Sequence, residues 1–173
     1  MNGQNLSLKI ESGTFNYRVG AIIISDGHIL MSKNNSATHY YTVGGRVMFG
    51  ESSKESILRE VVEEIKIPLE VDRLVYIHEN FFLWSDEKVP FHEIAYYFLM
   101  KVPDGFKKSR FSSIAEGYGE VNFHWLPLNG LSDLVIYPDF LKSEAKILSE
   151  GVGQCATRDV GHYVTKGGET IKM

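Results

Sequence analysis

The stretch from Ser52 to Ile65 constrains the fold more than any other part of the chain, because it reads only as a helix with one buried face. Ser52 and Glu55 stand three residues apart, the spacing of a capping box in which each side chain satisfies an orphan backbone N–H. Behind them Ile57, Leu58, Val61, Val62 and Ile65 recur at helical spacing and predict one apolar stripe on a helix over about residues 53–65. Pro68 closes the segment, since the residue before a proline is pushed out of the helical region.

The sequence around this helix is rich in strand signals. Residues 5–11 and 17–33 read as strands; in the second stretch Asp26-Gly27 sits between Val19–Ile24 and His28–Met31, a pattern for a tight hairpin turn with positive φ. Residues 34–42 are polar and turn-rich and lead to Gly44-Gly45, which on their own read as an ordinary turn. Two long β-rich stretches follow at 72–84 and 91–102, then a loop over 103–118 and a strand near 120–126. Pro138 fits the first position of a second helix running to about Glu150. The glycine-rich tail after Gly151 has two readings: it frays, or Tyr163-Val164-Thr165 pairs with Glu169-Thr170-Ile171 across Lys166-Gly167-Gly168. Many strands with one helix in the middle and one near the end predict an α/β fold, a mixed sheet flanked by helices. One domain is expected over 1–150, with a tail at 151–173.

At 173 residues the chain can fill one core but not two ordinary ones. A hydrophobic share of 43% beside 23% charged residues is that of a soluble globular protein. The formal charge of -4, with no basic run longer than Lys107-Lys108, argues against polymeric DNA or RNA as a partner. A small anionic ligand is compatible, because a metal ion can supply the positive charge locally. Cys155 is the single cysteine, which excludes an internal disulfide and a cysteine-rich zinc site. The longest apolar run, Val19 to Ile24, is far short of the roughly 20 residues that span a bilayer. Met1-Asn2-Gly3-Gln4 lacks the start of a secretory signal, so the expected location is cytoplasmic, away from membranes.

The polar face of the 53–65 helix carries the chemistry. Glu60, Glu63 and Glu64 stand at i, i+3 and i+4 and project from one face within about one turn. Like charges at that spacing cost a few tenths of a kcal/mol per pair in an isolated helix. A divalent cation reverses the sign, since carboxylate oxygens are the preferred ligands of Mg²⁺. Taken alone, the triplet also fits a solvated helix face on which Arg59 pairs with Glu55 or Glu63.

Its surroundings decide between these readings. Gly45 is followed by five residues and Glu51, then by seven residues and Arg59-Glu60-Val61-Val62-Glu63-Glu64-Ile65-Lys66-Ile67. This resembles the signature of the Nudix hydrolases, and chance agreement at its eight matched positions is on the order of one in a million for average residue usage. One position departs: Lys66 stands where the family has glycine, at the helix end where positive φ is used, and a lysine kept in that conformation costs about 1 kcal/mol.

The resemblance implies a Nudix-like α/β/α sandwich with a mixed, largely antiparallel sheet and a pyrophosphohydrolase activity. It implies Glu60, Glu63 and Glu64 as ligands of Mg²⁺, with Mn²⁺ as an alternative, and the backbone of Gly45 close to the metal or a phosphate. Glu51 and Arg59 fall in supporting roles, Arg59 orienting a glutamate. The cations would neutralise the diphosphate and acidify a water, and a glutamate would take its proton. Glu116, in the 103–118 segment, is the leading candidate for that base outside the signature, beside Glu93 and Glu120. Arg18 for a terminal phosphate, Trp84 for a ring and Glu93 are the candidate substrate contacts. His39, His78, His92 and His124 lack metal-ligand spacing and read as structural or surface residues. The expected substrate is a small nucleotide: a nucleoside diphosphate linked to another group, as in ADP-ribose or a nucleotide sugar. The alternatives are a nucleoside triphosphate pyrophosphohydrolase of the house-cleaning type and, from another class, a nucleotide-sensing module without turnover. Homodimers are common in the family, and one is compatible with this chain.

Overall fold

The helix forms where its capping box and stripe place it. In the computed structural model, which describes residues 3–35, 37–84, 88–104, 106, 112–115, 119–143, 145, 155–158, 163–164 and 170–171, α1 spans Ser53–Ile65. The Ser52 side chain accepts from the Glu55 amide, and the Glu55 carboxylate accepts from the Ser52 amide at 2.8 Å. The buried face is Ser56, Ile57, Val61 and Ile65, with Leu58 partly buried. Val62, expected on the stripe, is 44% exposed: it lies about 100° around the helix from Val61 and turns to solvent. Ser56 takes a buried place because its hydroxyl accepts a hydrogen bond from Arg59 Nη2 at 3.2 Å.

α1 ends on Lys66, which does adopt the left-handed conformation (φ 61°, ψ 16°) and donates its amide to the Val62 carbonyl at 3.1 Å. Its ammonium also folds back to the Glu63 carbonyl at 2.7 Å, an exposed contact of small value. Lys66→Gly is therefore expected to stabilise the protein by about 0.5–1 kcal/mol, read as a rise in urea midpoint at unchanged m-value.

The strands fall into two larger sheets. The first contains β1 (Ser7–Ile10), β2 (Gly13–Ile22), β6 (Val43–Arg46), β7 (Glu70–Trp84), β8 (Val89–Lys101) and β12 (Cys155–Arg158), in the order β1-β2-β8-β7-β12. β6 lies end to end with β1 along one edge of β2, since β1 pairs with residues 13–16 and β6 with residues 18–21. β2 and β8 are parallel, as are β7 and β12, while the other pairs in this sheet are antiparallel. The second contains β3 (Ile24–Ser25), β4 (His28–Asn34), β5 (Tyr40–Tyr41), β9 (Ser112–Ala115), β10 (Gly119–Pro127) and β11 (Ile136–Tyr137). The hairpin at Asp26-Gly27 is present, with φ of 49° and 70° and Ser25 opposite His28. A separate pair joins β13 (Tyr163–Val164) to β14 (Thr170–Ile171).

Three expectations need correction. Gly44-Gly45 are not a turn but the middle of β6, laddered to Gly20 and Val19. The 103–118 stretch is not all loop, because Ser112–Ala115 pair with β10. Only residues 141–143 and 145 of the second helix are described as helical, with the Pro138 carbonyl accepting from the Leu141 amide at 3.2 Å; residues 146–150 lie outside the described residues.

The sheet around β2 has a different core on each face. α1 covers one, where Ile57, Val61 and Ile65 meet Val19, Ala21, Val43 and Phe98. On the other, Ile22, Tyr76 and Tyr97 pack with Ile29, Met31 and Leu141. Each fully buried aliphatic side chain contributes about 1.5–3 kcal/mol, so α1 is pinned against the β2–β6 edge and its polar face is held beside Gly44 and Gly45. Among the described residues no helix is long and apolar enough to cross a membrane.

Candidate active site

Two neighbouring positions of β6 receive the helix carboxylates, Gly44 through its amide and Gly45 by its missing side chain. The Gly44 amide donates to Glu64 Oε1 at 2.9 Å. The Glu60 carboxylate lies directly over Gly45: a Cβ built there would sit 2.3 Å from Oε1, 2.4 Å from Cδ and 2.5 Å from Oε2. Glycine is required here by close approach, not by turning.

Arg59 organises the outer side of the same surface. It grips Glu51 with two hydrogen bonds, Nε to Oε1 at 2.7 Å and Nη2 to Oε2 at 3.0 Å. Nη1 donates to Glu60 Oε1 at 2.7 Å and to Glu63 Oε2 at 3.1 Å, and Nη2 reaches the Arg46 carbonyl at 3.2 Å. Glu51 also accepts from the Met48 amide at 3.0 Å, which fixes the loop from β6 into α1. Hydrogen bonding from Arg59, then from Met48, holds the Glu51 carboxyl below its usual range. Glu51 in turn, with Glu60, keeps Arg59 more firmly protonated than usual. A lysine cannot reproduce the two-pronged contact, so Arg59→Lys is expected to cost about 1–2 kcal/mol in urea unfolding and to loosen Glu60.

The inner carboxylates behave differently. Burial pushes the Glu60 carboxyl up despite Arg59 beside it. Burial raises Glu64 further, to about 7, with Glu60 adding to the effect and the Gly44 amide and Arg18 opposing it. Arg18, on β2, lies 3.9 Å from Glu93 and within electrostatic reach of Glu60 and Glu64. Burial disfavours its charge, but Glu93, Tyr97 and the two helix glutamates outweigh that and hold it protonated.

As the side chains stand, no three carboxylate, imidazole or thiol groups among the described residues converge on a point that could hold an ion. Arg59 Nη1 occupies Glu60 and Glu63, and the Gly44 amide occupies one oxygen of Glu64. The donor set nevertheless fits a hard dication. It is all oxygen, it stands on one helix face, and two of its members are carboxyls whose ionisation burial resists. Glu63 is the most exposed of the three, at 55% of its side chain, and is held by Arg59 at 3.1 Å.

Glu51, Arg59, Glu60, Glu63, Glu64 and Gly45 are thus brought together at the β6 edge of the sheet, while Arg18 on β2 and Glu93 on β8 pair with each other further in, on the face opposite α1. Trp84 ends β7, and its side chain lies outside the described residues; Glu116 lies outside them altogether. His92 bonds Glu79 at 2.9 Å and stacks on Phe81, and His78 packs on Phe140, as expected of structural histidines. Sequence reasoning passed over Gly44, whose amide holds Glu64, and Asn16, whose side chain donates to Glu93 at 3.4 Å. The alternation Asn16-Tyr17-Arg18 was the available signal, since it puts Asn16 and Arg18 on one face of β2.

An acidic helix is thus clasped to a glycine-bearing strand in a mixed α/β frame. The sequence matches the family model of the NUDIX domain over residues 14–147, and the chain belongs to that family. Its fold is that of solved Nudix structures. The MutT protein from Bacillus halodurans superimposes with a TM-score of 0.60 at 14% identity, covering 90% of this chain and 94% of that one. An ADP-ribose pyrophosphatase from Streptococcus suis gives 0.53 at 17% identity, over 83% and 98%. A UDP-X diphosphatase gives 0.55 at 16% identity, over 82% and 66%. No curated protein sequence matches the chain. The protein is a Nudix-type pyrophosphohydrolase, and divalent-metal use is general in its family.

Proposed function

We propose that this enzyme cleaves the diphosphate bond of a nucleoside diphosphate linked to a further group, of the ADP-ribose or nucleotide-sugar type. Mg²⁺ held by Glu60, Glu63 and Glu64 is its cofactor, with the Gly45 backbone alongside. The observation that carries the reading is the pair of part-buried carboxylates, Glu60 against Gly45 and Glu64 on the Gly44 amide, whose burial disfavours their charge and which a bound cation would offset. When bound, the cation supplies charge against the diphosphate oxygens and acidifies a water. Arg59 and Glu51 hold Glu60 in place, and Arg18 offers a guanidinium to a phosphate one strand away.

The test is turnover with Mg²⁺ of ADP-ribose, nucleotide sugars, dinucleoside polyphosphates and nucleoside triphosphates, read as release of phosphate-bearing products. Hydrolysis of the first two groups, abolished by chelator, is the expected result. Hydrolysis of triphosphates alone would replace this reading with the house-cleaning one. Tight nucleotide binding with no turnover of any compound would replace it with a sensing role.

A further inference from the structure

On the face of the sheet opposite α1, three polar residues stand side by side where a core would be apolar. Asn16 on β2 is opposite Glu93 on β8, and Glu93 is opposite Asn80 on β7, so the three form one rung across three strands. All are buried, at 2%, 9% and 8% exposure. Asn16 Oδ1 accepts from Ser7 at 2.6 Å, and Asn16 Nδ2 donates to Glu93. Asn80 Oδ1 is buried with no hydrogen-bond partner among the described residues. An unmade bond at a buried acceptor is costly, so such a group calls for a donor beyond those the described residues supply.

The chemistry of the rung selects the donor. A carboxylate and an amide oxygen stand on neighbouring strands of the same rung, so an anion is disfavoured and a group with adjacent O–H or N–H donors is favoured. Position narrows this further. Arg18 is the next residue along β2 on this face, two residues or about 6.6 Å from Asn16. Arg18 also adjoins Glu60 and Glu64 electrostatically. The rung is therefore one step from the diphosphate end, the place of the group bonded directly to the diphosphate. A base would lie a further ring away, towards the stacked Phe82–Phe91 pair on the next rung.

We infer that the Asn16–Glu93–Asn80 rung reads the hydroxyl groups of the sugar attached to the diphosphate, with Glu93 and Asn80 as the acceptors. This rests on the diphosphate-hydrolase reading above. It assigns substrate selectivity to two residues of the sheet that do not touch the reacting bond.

The experiment compares wild type, Glu93→Gln and Asn80→Leu, both substitutions close to the original shapes. Substrates are ADP-ribose and an ADP ester whose distal group carries no hydroxyl or amine. A guanosine and an adenosine version of each separate a base-edge contact from a sugar contact. Wild type is expected to prefer the sugar compound by at least tenfold in kcat/KM. Asn80→Leu is expected to raise KM for it about tenfold with kcat little changed and to leave the hydroxyl-free ester unaffected. Glu93→Gln is expected to raise KM for it by at least the same factor, and the hydroxyl-free ester reads separately whatever that variant loses through Arg18. Calorimetric binding of ADP-ribose to metal-free protein should weaken by the same factor, and thermal unfolding verifies that each variant is folded. If both folded variants keep the wild-type selectivity, or if the loss follows the base and not the sugar, the inference is overturned while the hydrolase reading stands. If wild type hydrolyses neither compound, both fall together.

Discussion

Glu64→Gln is expected to fold, to melt at a higher temperature than the parent in metal-free buffer at pH 8, and to lose hydrolysis at least 100-fold. The three effects have one origin. Burial raises the Glu64 carboxyl from 4.5 to about 7, so the folded state holds that proton more tightly than the unfolded chain does. Stability from this group is complete below about pH 4.5 and is lost as pH rises through about 7. By pH 8 the ionised carboxylate costs about 2–3 kcal/mol after allowance for its partial exposure. Glutamine stays neutral and keeps an oxygen for the Gly44 amide, so it escapes that cost without losing the contact. On the proposed reading it also withdraws a ligand charge. Loss of a group that merely supports a ligand already costs 10–100-fold in metal affinity or activity, so loss of the ligand itself should exceed that. Melting curves at pH 5 and pH 8, with and without Mg²⁺, check the argument. The parent should fall in stability between these pH values and recover with Mg²⁺, and the variant should do neither. A parent with a flat profile, or a variant with parental activity, would refute it.

The parts of this fold that were legible in the sequence are those set by neighbours along the chain. α1 is one: its capping box and stripe specify both ends and one face, and it spans Ser53–Ile65 as expected. The Asp26-Gly27 hairpin is another, since two residues decide its turn. The carboxylate triplet and the Gly45–Glu51–Arg59 spacing were visible because they lie in one continuous segment. What was illegible depends on pairing across the sheet. Gly44-Gly45 look like a turn until β6 is seen laddered to β2, because glycine in a strand and glycine in a turn are the same letter. Val62 belongs to the right period but to the wrong side of a narrow stripe. Asn16, Glu93 and Asn80 are separated by up to 77 residues and become one rung only through strand register. Arg18 joins the site for the same reason, through a parallel pairing that no local pattern announces.

Gly45→Ala tests whether that glycine serves the metal site or the sheet, and the expected answer is a loss of activity of about 100-fold with little loss of stability. The three atoms nearest the added Cβ would all belong to the Glu60 carboxylate, at 2.3–2.5 Å. Gly45 is not among the positive-φ glycines, so alanine suits its backbone, and the ladder to Val19 is untouched. The part that must yield is therefore the end of a flexible side chain. Glu60 swings away, its 2.7 Å hydrogen bond to Arg59 breaks, and the fold loses about 1 kcal/mol. Activity suffers far more, because a displacement of about 1 Å in a catalytic array can cost on the order of 100-fold. Glu60→Ala supplies the decisive comparison. Once that side chain is truncated the atoms nearest the new methyl are gone, so Gly45→Ala should add little further loss in the double variant. Additive losses in kcat/KM would mean that the methyl acts through the β2–β6 edge, and Gly45 would then be a sheet residue with no share in placing Glu60.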